Sequence, residues 1–146
     1  MEIDRNGLEI LDRAECLRLL GGEALGRIAV SIGALPVILP VNFLLDGERI
    51  LIRTGDGTKL DAATRDAVVA FEVDQVDPFS HSGWSVCVTG RSSELREERD
   101  LVRARQLPLP HWASNDVGHF VAVSLDLVSG RRLSHNPALG SVTAPA

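Results

Sequence analysis

Residues 53–60 read RTGDGTKL and concentrate anion-binding chemistry in a short stretch. Arg53 and Lys59 bring full positive charges, and Thr54 and Thr58 bring hydroxyl donors. Gly55 and Gly57 let the backbone turn and approach a ligand closely. Thr58 and Lys59 fall at the start of an expected helix, where unpaired N–H groups and a partial positive charge favour a phosphate. The segment therefore has the makings of a phosphate clamp. A helix N-cap at Asp56 or Thr58 with solvated charges around it uses the same residue types. Lys59 is also the only Lys in the chain, against 14 Arg. In so Arg-biased a background, a surviving Lys either marks a place where a compact ammonium suits better than a planar guanidinium or stands there by chance.

Three further segments carry candidate chemistry. Pro40-Val41-Asn42-Phe43 interrupts an apolar run. Pro40 cannot donate to a strand ladder, and a buried Asn42 must find partners in the backbone or in a bound heterocycle. In the run from Trp84 to Thr89, Trp84, Val86 and Val88 share one face, and the small Ser85, Cys87 and Thr89 share the other. A small face admits another sheet or a flat ring. Trp84 and Trp112 are amphipathic and can flank a ring or pack in a core. Arg131 and Arg132 can bind an anion or simply be solvated. Glu72 and Asp74 lie on one strand face as a polar contact or an acid. Cys87, in mid-strand, reads as a small core residue.

Several chemistries find no support. There is no GxSxG, HExxH, CxxC or GxxxxGK[ST] motif. His81, His111, His119 and His135 show no metal-ligand spacing to one another. Asp74, Asp77 and His81 are better explained as a solvated loop than as a metal site. No metal is expected, and no catalytic acid, base or nucleophile can be named.

The elements that must hold these residues are mostly strands. Asp12 with Glu15 has the form of a capping box, and Gly21-Gly22 stops the helix that follows. Strands are expected at 26–32, 35–45 and 49–54, with Asp46-Gly47 as a hairpin turn. A short helix at 59–65 leads to a strand at 68–74. A polar loop at 76–83 precedes a strand at 84–94, bent at Gly90. A charged helix at 96–106 stops before Pro108 and Pro110, and a sixth strand runs from 120 to 128. The reading is a mainly β fold, a barrel or sandwich with a few helices. Residues 37–45 and 50–52 are apolar on both strand faces, so something must cover the outer one. A second copy of the chain is the simplest cover, which predicts a homodimer.

A chain of 146 residues suits one domain with its own core, here residues 1–133, followed by a loose tail at 134–146 rich in small residues and Pro. The net charge of −5 argues against a protein built to grip nucleic acid. No apolar run approaches the length of a membrane span, and the first residues are polar. Two cysteines make no disulfide framework, so a cytoplasmic home is expected.

Taken in order, GRIAV (26–30), PVILPVNFLLDGERILIRTGDGTKL (36–60), VAFEVDQVDP (69–78), GWSVCVTGR (83–91) and SGRRL (129–133) resemble the pyridoxamine 5′-phosphate oxidase-like, FMN-binding split-barrel family, closest to its short single-domain members. The resemblance spans residues 8–133. It implies a roughly six-stranded antiparallel Greek-key barrel that dimerises with flavin at the subunit interface. It implies that Pro40, Val41, Asn42 and Phe43 line the isoalloxazine ring. Arg53, Thr54, Thr58 and Lys59 would hold the ribityl phosphate. Trp84 and Ser85 would approach from a neighbouring strand or from the partner subunit. The implied activity is flavin-dependent oxidoreduction of a small molecule. The same fold also serves as a carrier of flavin, deazaflavin F420 or haem. PVNF lacks the basic residue that true pyridoxamine phosphate oxidases carry at its start, and the chain ends GRRLSHNPALGSVTAPA without their Arg- and Trp-rich close. These departures separate the cofactor site from the pyridoxamine phosphate activity.

Overall fold

The computed structural model describes residues 1–109 and 118–134. Trp112, a candidate ring-flanking residue, and the tail from 135 onward lie outside the described residues.

Among the described residues, nine strands and three helices follow one another as β1 (Glu2–Ile3), β2 (Glu9–Leu11), α1 (Arg13–Gly21), β3 (Leu25–Ile32), β4 (Leu35–Asp46), β5 (Arg49–Gly55), α2 (Lys59–Ala63), β6 (Val68–Asp77), β7 (Ser82–Glu94), α3 (Glu98–Gln106), β8 (Gly118–Ser124) and β9 (Leu127–Leu133). All pairings are antiparallel, in the order β1-β2-β9-β7-β6-β3-β4-β5-β8. β7 pairs with β9 through Gly83–Thr89 and with β8 through Ser92–Glu94. The second pairing closes β3, β4, β5, β8, β7 and β6 into a six-stranded barrel.

The change of partner along β7 pivots on Gly90. A Cβ there would lie 1.7 Å from the Ser124 carbonyl oxygen, so only glycine lets the two backbones cross. The bend expected at Gly90 is thus the point of closure. The single strand expected over 120–128 is two, β8 and β9, broken where Leu125 turns into the core. The loop expected at 76–83 is a four-residue turn, because β6 and β7 stay paired out to Asp77 and Ser82. The Asp77 carboxylate accepts from the Phe79 N–H at 2.9 Å and fixes that turn. The two short strands β1 and β2 had no signal in the sequence. They add to the free edge of β9.

The interior follows from strand alternation. Ile28, Val30, Phe71, Val73, Val86, Val88, Ile50, Ile52, Val121 and Val123 point inward and are buried. Phe43 and Phe71 meet edge to face, 4.8 Å between ring centres. Gly26 faces Phe71 so closely that a Cβ would lie 2.3 Å from its Cζ. α1 starts as its capping residues predict, with the Asp12 carboxylate accepting from the Glu15 N–H at 2.8 Å. Its buried Leu20 and Cys16 join the same core. α3 covers the outward side of β5 and β8, burying Leu51, Phe120 and Ala122 beneath Ala104 and Leu101. Its Arg103 pairs with Asp46, and Asp100 lies 3.5 Å from Arg49. Among the described residues, no helix is long and apolar enough to cross a membrane.

Candidate functional site

Within the barrel, β4 changes neighbours at one point. Leu35–Asn42 pair with β3, and Phe43–Asp46 pair with β5. Beyond Ile52, residues Arg53–Gly55 of β5 pair only with β8. The two strands therefore part at Asn42 and Arg53. The resulting fork has Pro40-Val41-Asn42 on one side and the RTGDGTK segment on the other, so the two strongest candidate segments flank one opening. Phe43 takes no part through its side chain, which is buried against Phe71. Pro40 is exposed, and Val41 and Asn42 are half-buried.

The four clamp residues divide into two pairs. Alternation along β5 turns Thr54 inward, where its hydroxyl donates to Asp61 at 2.9 Å. The Thr58 hydroxyl donates to the Gly55 carbonyl at 2.8 Å and, as N-cap of α2, accepts from the Asp61 N–H at 3.1 Å. Both hydroxyls are engaged in shaping the loop. α2 has five residues, so its dipole adds little to the site. Arg53 and Lys59 are the cations of the segment. Arg53 extends outward over the Phe120 ring, 5.2 Å from its centre. Lys59 is exposed and, among the described residues, forms no ion pair.

A network that sequence spacing did not reveal braces this loop. The buried Asp61 accepts from Thr54, from the Gly57 N–H at 3.3 Å and from Arg65 at 3.2 Å. Burial raises its pKa, but these hydrogen bonds outweigh burial and hold the carboxyl below its usual range. Arg65 thus supports the clamp through Asp61. On β8, opposite Thr54, His119 meets Asp56 through Nε2 at 2.9 Å and Glu94 of β7 through Nδ1. Its pKa is raised chiefly by the Asp56 hydrogen bond, with burial opposing and Asp61 and Glu94 adding. Asp56, Asp61 and His119 converge within 4.8 Å. Only the long-range pairing of β5 with β8 brings His119 here.

The outward face of β4, β3, β6, β7 and β9 is assembled from aligned rows. One row is Ile38, Ala29, Ala70, Thr89 and Leu127; the next is Pro40, Arg27, Glu72, Cys87 and Ser129. The first row has small side chains at its centre and apolar, open flanks, with Ile38 and Leu127 each 68% exposed, while the second carries the charged Arg27 and Glu72 at its centre. Cys87 belongs to this face and is exposed, which corrects its placement in the core. Burial, Glu72 and Asp74 raise its thiol pKa and keep it protonated. Burial and the neighbouring Asp74 also raise the pKa of Glu72, with Arg27 3.5 Å from Asp74.

The remaining candidates lie elsewhere. Trp84 points inward and packs on the barrel core, while Ser85 points outward. β7 is three strands from β4, roughly 14 Å along the sheet, so it is not the strand beside Asn42. A neighbouring-strand approach in the same chain is excluded. Arg131 bonds Asp4 at 3.0 Å, and Arg132 pairs with Glu15 and Glu9. They strap the N-terminal segment onto β9 and are not an anion site. Arg18 and Arg132 together pull the Glu15 carboxyl down to about 2. Among the described residues Asp74, Asp77 and His81 form no ligand cluster.

Known proteins resemble this chain in sequence and in fold. A profile of the pyridoxamine 5′-phosphate oxidase family matches residues 12–132. The uncharacterized protein Rv0080 of Mycobacterium tuberculosis is 37% identical over 128 residues, covering 84% of each chain. A solved structure of an FAD binding protein from Mycobacterium smegmatis superposes with a TM-score of 0.76 at 38% identity, over 86% of this chain and 99% of that one. A putative pyridoxamine 5′-phosphate oxidase from Corynebacterium glutamicum does so at 0.77 and 31% identity, over 87% and 98%. The six-stranded barrel, the fork and the ordered segments thus have one explanation: the chain belongs to the pyridoxamine 5′-phosphate oxidase family.

Proposed function

We propose that two copies of this chain associate through the outward face of β4, β3, β6, β7 and β9 and hold a flavin at their interface, as an oxidoreductase acting on a small molecule. The observation that carries this reading is the fork, which sets an anion clamp opposite a flat, proline-containing strand segment. The exposed apolar rows beside it supply the surface that a partner copy would bury. The FAD-binding relative supports a flavin. FMN is the simplest choice, and the clamp would read the phosphate that FMN and FAD have in common.

The residues fit the group. Arg53 and Lys59 would hold the phosphate, and the Asp56 charge that opposes an anion is already met by His119. Thr54 and Thr58 would fix the loop that presents the two cations. Pro40, Val41 and Asn42 would line the ring, with Phe43 contributing through its backbone. Trp84 and Ser85 of the partner copy would close the site from the other side. When bound, the flavin supplies the hydride and electron chemistry, and the protein positions it and excludes water.

The test is uptake followed by turnover. Titration with FMN and FAD should give saturable binding, and mass measurement of the released cofactor names the form. An assay with nicotinamide donors and small acceptors separates an enzyme from a carrier. A protein that refuses both flavins but takes deazaflavin F420 or haem contradicts the assignment and favours the carrier reading for those groups.

A further inference from the structure

His119 connects three elements at the rim of the clamp. It sits on β8 opposite Thr54 of β5, and the two backbones are close there: a Cβ on the preceding Gly118 would lie 2.5 Å from the Thr54 carbonyl oxygen. The backbone that carries the imidazole is therefore fixed by the barrel. Its Nε2 meets Asp56 at 2.9 Å and lies 3.9 Å from the buried Asp61 of α2, and its Nδ1 contacts Glu94 of β7. The cations around this group are Arg65, which pairs with Asp61, and Arg96, 3.5 Å from Glu94. On β5, the Arg53 Nε would lie 3.7 Å from a Cβ on Gly118. A neutral imidazole has one N–H, so one of its nitrogens would turn a lone pair to a carboxylate oxygen. Only the protonated ring offers a hydrogen to both sides. The Asp56 hydrogen bond, opposed by burial and aided by the charges of Asp61 and Glu94, raises its pKa from the usual 6.5.

Asp56 is the partner that can leave. It stands in the loop between Gly55 and Gly57 with its side chain 57% exposed, whereas Glu94 belongs to a barrel strand and Asp61 is held by Thr54, Gly57 and Arg65. It also stands three residues from Arg53 and three from Lys59. A carboxylate there competes with a phosphate for both cations unless another cation holds it. Among the described residues, His119 is the group that pairs with it. We infer that His119 is a positioning residue for the cofactor phosphate: its imidazolium holds Asp56 on β8 and neutralises it, and loss of the ring proton returns Asp56 to the two cations and weakens their hold on the phosphate. The inference rests on the clamp reading of Arg53 and Lys59 and adds control by pH to it. Protonation of His119 and phosphate binding then favour each other. Affinity is highest where the ring is protonated and falls as pH climbs through its raised folded value.

Fluorescence titration of the full-length protein with FMN and with riboflavin, which has the same ring and ribityl chain but no phosphate, tests it between about pH 7 and about pH 9. In this window the FMN phosphate, with a second pKa of about 6, stays dianionic, and Arg53 and Lys59 stay charged. FMN affinity should fall about tenfold across the window, while riboflavin affinity should change less than about twofold. His119→Gln should bind FMN at about pH 7 as weakly as the wild type does at about pH 9, with riboflavin unaffected. A merely structural role would weaken both ligands alike. Asp56→Asn added to that variant should restore FMN affinity, because no carboxylate is left to compete. FMN affinity that is flat or rises with pH, riboflavin affinity that falls in step with it, or a failure of Asp56→Asn to restore it overturns the inference and leaves the flavin site standing. A protein that binds neither flavin at any pH overturns it together with the cofactor reading.

Discussion

Lys59 is the side chain on which the clamp can be tested alone. It is exposed and pairs with no carboxylate among the described residues, so Lys59→Ala should leave the fold intact. Loss of one charged hydrogen bond to a phosphate should weaken FMN binding about tenfold, measured by fluorescence titration. Unchanged affinity would place the phosphate elsewhere. The hydroxyls behave differently. Thr54→Val removes the donor to buried Asp61 and should cost about 1–3 kcal/mol of stability before any effect on flavin. Sequence reading grouped Thr54 and Thr58 with Arg53 and Lys59 because all four can bind an anion. The alternation of β5 and the N-cap of α2 assign the two hydroxyls to the loop instead. His119 adds a pH dependence. Its pKa is raised in the folded state, chiefly by the hydrogen bond to Asp56, so the folded state binds more proton and stability falls as pH rises. The contribution is complete below the unfolded pKa of about 6.5 and is lost as pH climbs through the raised folded value. The melting temperature of the wild type should therefore exceed that of His119→Gln most in mild acid, with the gap closing in alkali. A gap that widens with pH contradicts the network.

At the scale of elements, barrel closure depends on β7 changing partners at Gly90. A methyl group there would meet backbone, which cannot swing aside as a side chain could. Gly90→Ala should lower stability by more than about 3 kcal/mol in chemical denaturation, beyond the usual cost of overpacking. The exposed Ser93, three residues on, should tolerate Ala within about 0.5 kcal/mol. Equal tolerance at both sites would mean that β7 does not cross β8 there. The sequence made β3 to β7 legible, because alternating apolar residues, the Asp12 cap and the Asp46-Gly47 turn are all local signals. It merged β8 with β9 because the break at Leu125-Asp126 carries no Gly or Pro, only a buried leucine that turns inward. It missed β1 and β2 because strands of two and three residues have no periodicity to read. Their place is set by distant partners, Arg131 with Asp4 and Arg132 with Glu9 and Glu15.

For the whole molecule, the account ties association to cofactor binding. The outward face carries one row that is small at its centre and apolar at its flanks, and the fork opens beside it. Trp84 and Ser85 lie on a strand that is not adjacent to β4, and the proposal has them serve this site from a second copy. Sedimentation equilibrium should give twice the chain mass of 15.7 kDa. Ala70→Arg, which sets a charge at the centre of the face, should yield monomers that have also lost flavin affinity. A monomeric variant that binds flavin normally would separate the two. The most direct measurement is the absorption spectrum of the purified protein, taken before and after addition of FMN. The account predicts the paired near-ultraviolet and blue bands of an oxidised flavin, perturbed from those of free FMN and saturating at one flavin per chain. A colourless protein whose spectrum after addition is the sum of protein and free FMN would contradict it.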